Sequence, residues 1–253
     1  MTAYLPARLA LVLAACGLAS VARAQPATYS TCADRGAPSI RRVLTDTLGS
    51  FSRLPTRTNV AWLAGGGAAA LAVHPGDTAV SRHFTSSARL YQIFGAGGFI
   101  GSAAVQLGSG VGAYSVGRWA NRPCLGAIGA DLLQAQLVAE ALTLGVKYSV
   151  RRTRPDNSSG FAFPSGHASV TFASATVFQR QFGWRAGIPA YAVASYVAAQ
   201  RIQANRHYLS DVIFGATVGI VSARASSVTT KHPFVMVPSV APGLAGIAFV
   251  RVD

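Results

Sequence analysis

Six stretches of this chain carry almost no charge, are rich in alanine and glycine, and run 14 residues or more: 58–73, 91–116, 125–146, 165–182, 186–199 and 210–223. Strands seldom exceed roughly ten residues, so the series reads as a set of helices. Breakers stand between them, including Pro75-Gly76-Asp77, Arg122-Pro123 and the polar loop 151–160. Helices of this length joined by short breakers predict an all-α helical bundle. The small residues let backbones approach closely in either water or lipid. Only the last stretch alternates weakly, and it is expected to form a short β segment, as an edge strand or hairpin. The expected organisation is a signal peptide at 1–24, an N-terminal arm at 25–57 with one short helix at 40–54, a helical domain at 58–231 with its core at 125–223, and a tail at 232–253.

The N-terminus has a basic residue, Arg8, an apolar stretch from Leu9 to Ala22, and the small-x-small site Ala22-Arg23-Ala24. This is the pattern of a secretory signal cleaved after Ala24. Leu13-Ala14-Ala15-Cys16 offers a second reading, a lipoprotein site that would leave a lipidated Cys16, but the apolar run before it is short. Cleavage after Ala24 leaves Cys32 and Cys124, which an oxidising compartment permits to pair or which stay as two separate thiols. Export to a bacterial periplasm or cell envelope follows from the signal.

Whether the helices cross a bilayer is a separate question. Residues 91–117 are uncharged for longer than the roughly 20 residues that a span needs, yet Gly, Ala and Ser dominate them. Asp131 and Glu140 interrupt 125–146, and carboxylates are costly at bilayer depth. If residue 25 is outside, an even number of spans must precede Lys147 for that region to face outside too. Three apolar segments lie between. A periplasmic bundle held at the membrane surface meets both conditions.

Lys and Arg number 22 against 8 Asp and Glu, a formal net charge of +14. Such a surface favours anionic partners: a phosphate ester, a lipid phosphate or a membrane surface. Nucleic acid is excluded as a partner, because the basic residues are scattered and the signal leads away from the genome. Eight acids are too few to gather around a pair of catalytic metal ions, and neither a C-x-x-C pair nor an H-E-x-x-H motif occurs. No metal and no cofactor are expected.

Three motifs carry chemistry. Lys147 is separated by six residues from Arg154-Pro155; Pro164-Ser165-Gly166-His167 follows; and Arg201 is followed after five residues by His207, then after three by Asp211. Phosphate-ester hydrolysis without a metal needs fixed positive charge, and Lys147, Arg154 and Arg201 supply it. Ser165 and Gly166 at a helix start add N–H donors. His207 and Asp211, four apart on one helix face, suit a nucleophile whose Nδ1 proton is held by a carboxylate. His167 suits a general acid. Each piece also has a bland reading: Arg151, Arg152 and Arg154 as a solvated loop, Ser165 as a cap, His207 and Asp211 as a surface pair. Their occurrence together in this order favours the site.

The three motifs resemble the signature of the type 2 phosphatidic acid phosphatase and vanadium haloperoxidase superfamily, over residues 125–223. The resemblance implies an α-helical bundle in which His207 becomes a phosphohistidine, Asp211 orients it, and His167 is first the acid and then the base for water. Lys147, Arg154, Ser165, Gly166 and Arg201 would cradle the phosphate. The implied activity is a metal-independent phosphatase for phosphate monoesters or lipid phosphates and pyrophosphates. A vanadate-dependent haloperoxidase is the alternative on the same fold, and a non-catalytic binder of anionic lipid is the alternative from another class. One position departs from the family: Gln200 stands where serine is usual. Arg206, beside His207, either adds charge at the site or faces solvent. His74 and His232 match no motif and are expected at the surface.

Overall fold

The structure is a computed structural model, and it describes residues 36–226, 234–241 and 244–251. Among them the helices run α1 (Ile40–Ser52), α2 (Arg57–Val73), α3 (Asp77–Thr85), α4 (Ala88–Phe94), α5 (Gly97–Ile100), α6 (Ala103–Trp119), α7 (Pro123–Val150), α8 (Gly166–Phe182), α9 (Trp184–Gln203) and α10 (Leu209–Ala225). A 3₁₀ turn, His74–Gly76, joins α2 to α3. The protein is all-α over these residues apart from a C-terminal hairpin. There β1 (Phe234–Ala241) pairs antiparallel with β2 (Leu244–Arg251), with Phe234 opposite Arg251 and Ala241 opposite Leu244. The hairpin belongs to a compact unit separate from the helical one.

Local chemistry accounts for most boundaries. Ser39, Thr56, Ser87, Ser102 and Ser165 each cap a helix by accepting an N–H of its first turn. Pro123 opens α7 where its missing N–H costs nothing. The expected single segment 91–116 is instead three helices. Gly95, Gly97, Gly98 and Gly101 weaken it, and Ser102 starts a new helix by capping Val105 N–H at 3.3 Å. Periodicity also missed α3, a short polar helix that begins within the expected breaker at Asp77.

The 28-residue α7 runs through the centre of the bundle. It is the one helix among those described that is long and apolar enough to cross a membrane, and 67% of that window is buried inside the protein. On one side Ala130 and Leu133 pack with Val43 of α1 and Tyr114 of α6. On the other, Leu132, Ala135 and Ala139 meet Ala173 and Val177 of α8 and Ala223 of α10. A further cluster of Ala168, Ala198, Ile202 and Val212 ties α8, α9 and α10 together.

The crossing of α8 against α10 is close, and it places the site. A Cβ on Gly215 would lie 2.5 Å from the Ser165 carbonyl, and one on Gly219 2.2 Å from that of Ser169. Two glycines one turn apart thus receive two carbonyls one turn apart. Ser165 N–H also donates to the Asp211 carbonyl at 2.9 Å, pinning the start of α8 to the start of α10.

Candidate active site

The three motifs meet at one end of the bundle. Lys147 lies in the last turn of α7, and Arg151, in the left-handed conformation at φ 50°, ends that helix and turns the chain into the loop that bears Arg154. Ser165, fully buried, caps α8 and precedes Gly166 and His167. Arg201 is near the end of α9, where the Arg206 and His207 N–H groups both return to its carbonyl at 3.1 and 3.3 Å. Asn205, at φ 57°, makes that reversal possible.

His207 is 2% exposed. It stands in the turn before α10, whose N-cap is Tyr208, so His207 and Asp211 do not share a helix face as the spacing suggested. The ring follows a different partner as a result. Its Nδ1 is 2.6 Å from the Ala162 carbonyl, which can only accept, so Nδ1 carries the proton and Nε2 has the lone pair. Asp211 Oδ2 is 3.8 Å from Nδ1, an ion-pair distance rather than a hydrogen bond, and accepts the Tyr208 N–H at 2.8 Å. The carboxylate therefore acts on His207 by charge and by fixing the turn, while a main-chain carbonyl sets the tautomer.

Positive charge surrounds this imidazole. Burial, the Arg154 charge and the Arg201 charge bring Lys147 down to about 8 against the pull of Asp211 and Glu140, and its Nζ donates to the Phe161 carbonyl at 2.6 Å. Burial, then Arg154 and Arg206, lowers Arg201 to about 10. The Nε atoms of Arg154 and Arg201 are buried without a hydrogen-bond partner. Buried guanidinium N–H groups left open are costly unless an anion accepts them. Burial pushes His207 down, opposed by Asp211. His167 falls to about 4, through burial, then Arg201 and His207; a bond to the Gly98 main chain opposes the fall. Both imidazoles are neutral at pH 7. At Gly166 a Cβ would meet only Thr143 Cγ2, at 3.7 Å, so packing within the protein does not demand glycine there. A ligand approaching the N-terminus of α8 would.

Other expectations resolve individually. Arg152 is not part of a solvated loop: it bridges Asp77 and Asp211 at 2.8 and 2.7 Å. Arg206 is spent on Asp156 at 3.0 Å and Ser158 at 3.2 Å, clasping the loop after Arg154 to the turn before His207. Gln200 is buried, accepts from Arg201 Nη1 at 3.3 Å, and packs under Gly97 and Gly98. His74 is exposed, and His232 lies outside the described residues. Cys124 is disulfide-bonded, and Cys32, its expected partner, lies outside the described residues. The signal-peptide and Cys16 readings also fall there. Among the described residues no three His, Cys, Asp or Glu gather as a metal site would require.

Sequence reasoning missed Ala162, Gly98 and Asp77. Main-chain acceptors have no residue code, and Asp77, 70 residues before the first motif, looked like one acid in a turn.

Residues 128–232, which hold the three motifs, match the PAP2 superfamily. The lipid A 1-phosphatase of Porphyromonas gingivalis is 42% identical over 94 residues, 36% of this chain and 21% of that protein. The chain thus spans about a fifth of that relative's length. Among solved structures, the first transmembrane PAP2-type phosphatidylglycerolphosphate phosphatase, from Bacillus subtilis, aligns with a TM-score of 0.51 and 21% identity, over 73% of this chain and 92% of that one. LpxE of Aquifex aeolicus aligns with a TM-score of 0.49 and 20% identity, over 58% and 92%.

Proposed function

We propose that this chain is an exported phosphatase that hydrolyses a lipid phosphate through a phosphohistidine, without a metal or other cofactor. The observation that carries the reading is the open pair of buried guanidinium N–H groups on Arg154 and Arg201, set beside a neutral His207 whose Nδ1 is already committed. A phosphate in that place accepts from both arginines and from Lys147, and meets the N-terminus of α8 at Ser165 and Gly166. The Nε2 lone pair of His207 attacks phosphorus while the bond to the leaving oxygen breaks. His167 gives that oxygen its proton. Neutral in the free protein, His167 gains this proton with the substrate, because the phosphate charge offsets Arg201. Water then enters, His167 takes its proton, and the water oxygen displaces Nε2 to release inorganic phosphate. Asp211 stabilises the positive charge that develops on His207.

The lipid part of the reading rests on the names of two relatives, which act on lipid A and on phosphatidylglycerolphosphate. A site at the membrane surface suits such a substrate. The test is phosphate release from p-nitrophenyl phosphate and from short-chain phosphatidic acid in EDTA, for wild type and His207→Ala. Activity that survives chelation, vanishes in the variant and leaves acid-labile phosphate on the wild-type protein supports the reading. Activity retained by His207→Ala, or bromide oxidation with vanadate and peroxide in place of phosphate release, would sink it.

A further inference from the structure

Asp77 lies far from the motifs in sequence and outside the matched superfamily region, yet it is 2% exposed at the first turn of α3. Both of its oxygens accept from Ser210, in the first turn of α10, and one of them also accepts from Arg152. Oδ1 accepts the Ser210 N–H at 3.0 Å, and Oδ2 accepts both the Ser210 hydroxyl and Arg152 Nη2, the latter at 2.8 Å. Arg152 then uses Nη1 on Asp211 Oδ1 and on Ser210 Oγ, both at 2.7 Å. Its guanidinium lies 4.2 Å from the centre of the Tyr208 ring. The stacked rings of Phe163 and Phe214, 5.0 Å apart, line the cavity that Arg152 and Ser210 border. This is a planar fork shared between two carboxylates in largely apolar surroundings.

We infer that Asp77 is a positioning residue for the reaction: through Arg152 and Ser210 it holds Asp211 and the 207–211 turn, and it keeps Asp211 from being fully neutralised. The charge count gives the reason. Arg152 with Asp211 alone sums to zero, leaving little negative charge to favour a positive His207. With Asp77 the group sums to −1. A purely structural brace could have been an apolar contact, and two buried carboxylates sharing one half-buried guanidinium are hard to justify by stability alone. The inference rests on the phosphatase reading for its kinetic part, but not for its electrostatic part.

The groups that face His207 are Lys147 from α7, His167 from α8, Arg201 from α9 and Asp211 from α10, and Arg154 from the loop acts on Lys147 and His167 beside it. Asp77 acts on it through Arg152. Removing one negative charge from this set disfavours the imidazolium. Asp77→Asn should therefore shift the His207 titration to lower pH, read from the ring signals of histidine-labelled protein assigned with His207→Ala. It should also lower kcat by about 10- to 100-fold, the loss seen when a metal-bound histidine or carboxylate loses its outer partner, with KM changed less than about twofold.

A wild type that turns over, with Asp77→Asn changing neither kcat per folded molecule nor the His207 titration, overturns the inference. A wild type silent toward every phosphate ester, with the titration still displaced by Asp77→Asn, defeats the phosphatase reading and leaves the positioning intact. Should Asp77→Asn fail to fold, Ser210→Ala removes one bond to Asp77 and one to Arg152. All three charges stay, so the titration should move little while kcat falls, by less than in Asp77→Asn; an unchanged kcat per folded molecule counts against the inference.

Discussion

Residues 128–232 and residues 77–101 serve one site in different ways. The first region, which matches the superfamily, supplies each group proposed to touch phosphate: Lys147, Arg154, Ser165, Gly166, His167, Arg201 and His207. The second supplies none of them. It contributes Asp77, which holds the turn around His207 through Ser210 and Arg152, and Gly98, whose main chain bonds the His167 ring. Chemistry needs particular side chains at fixed spacing, whereas support needs only an acceptor in the right place. Many sequences can deliver such an acceptor. The supporting region is therefore hard to recognise and the chemical one easy.

The comparison breaks most sharply at the α8–α10 crossing. Gly219→Ala would put a Cβ 2.2 Å from the Ser169 carbonyl, and main chain cannot step aside as a side chain can. The expected loss is about 3 kcal/mol or more, the upper end for overpacking, seen as a lowered unfolding midpoint in urea together with lost activity. Next in size is Arg201→Lys. The charge stays, but the fork and its buried Nε–H go, and kcat/KM should fall about 10²- to 10³-fold, as on removing a preorganised donor. Folding should be unchanged by circular dichroism.

The supporting region gives smaller effects. In Gly98→Ala the new Cβ would meet the Gln200 amide atoms at 3.2 and 3.3 Å, the far end of a side chain that can give way. A several-fold drop in kcat is expected, confined to substrates with poor leaving groups if His167 is, as proposed, the acid they need. Gln200→Ser should restore it, and a failure to restore would place the fault in the main chain instead. The smallest effect concerns pH. His167 falls from its ordinary value to about 4 in the fold, so between about 6.5 and 4 the unfolded chain binds the extra proton. Stability is full above that window, declines as pH falls through it, and is flat below it as far as this group is concerned. A thermal midpoint that drops by a few degrees across the window, and by less in His167→Asn, is the expected result. Added phosphate should offset the drop.

The helical class and the three motifs were legible because both depend on local pattern. Charge-free stretches of small residues cannot be short strands, and Lys147, Arg154, His167, Arg201, His207 and Asp211 stand at spacings that a chain rarely assembles without use. The geometry within the third motif was not legible. Four-residue spacing implies a shared helix face only if the helix includes both ends, and α10 starts after His207 because Asn205 reverses the chain and Tyr208 caps the helix. The 91–116 segment was misread for a related reason: hydropathy does not register a break made by glycines and a capping serine.

By itself the sequence determined which chemistry is available: cations for an anion, two imidazoles and one carboxylate beside them. Only the tertiary structure decided which atoms hold His207. The Ala162 carbonyl fixes the proton on Nδ1, Asp211 acts from 3.8 Å, and Asp77 reaches the same turn across 133 residues of chain through Ser210. Hydrogen bonds are short-ranged and indifferent to sequence separation, so they are settled by where close-packed glycines let the helices meet.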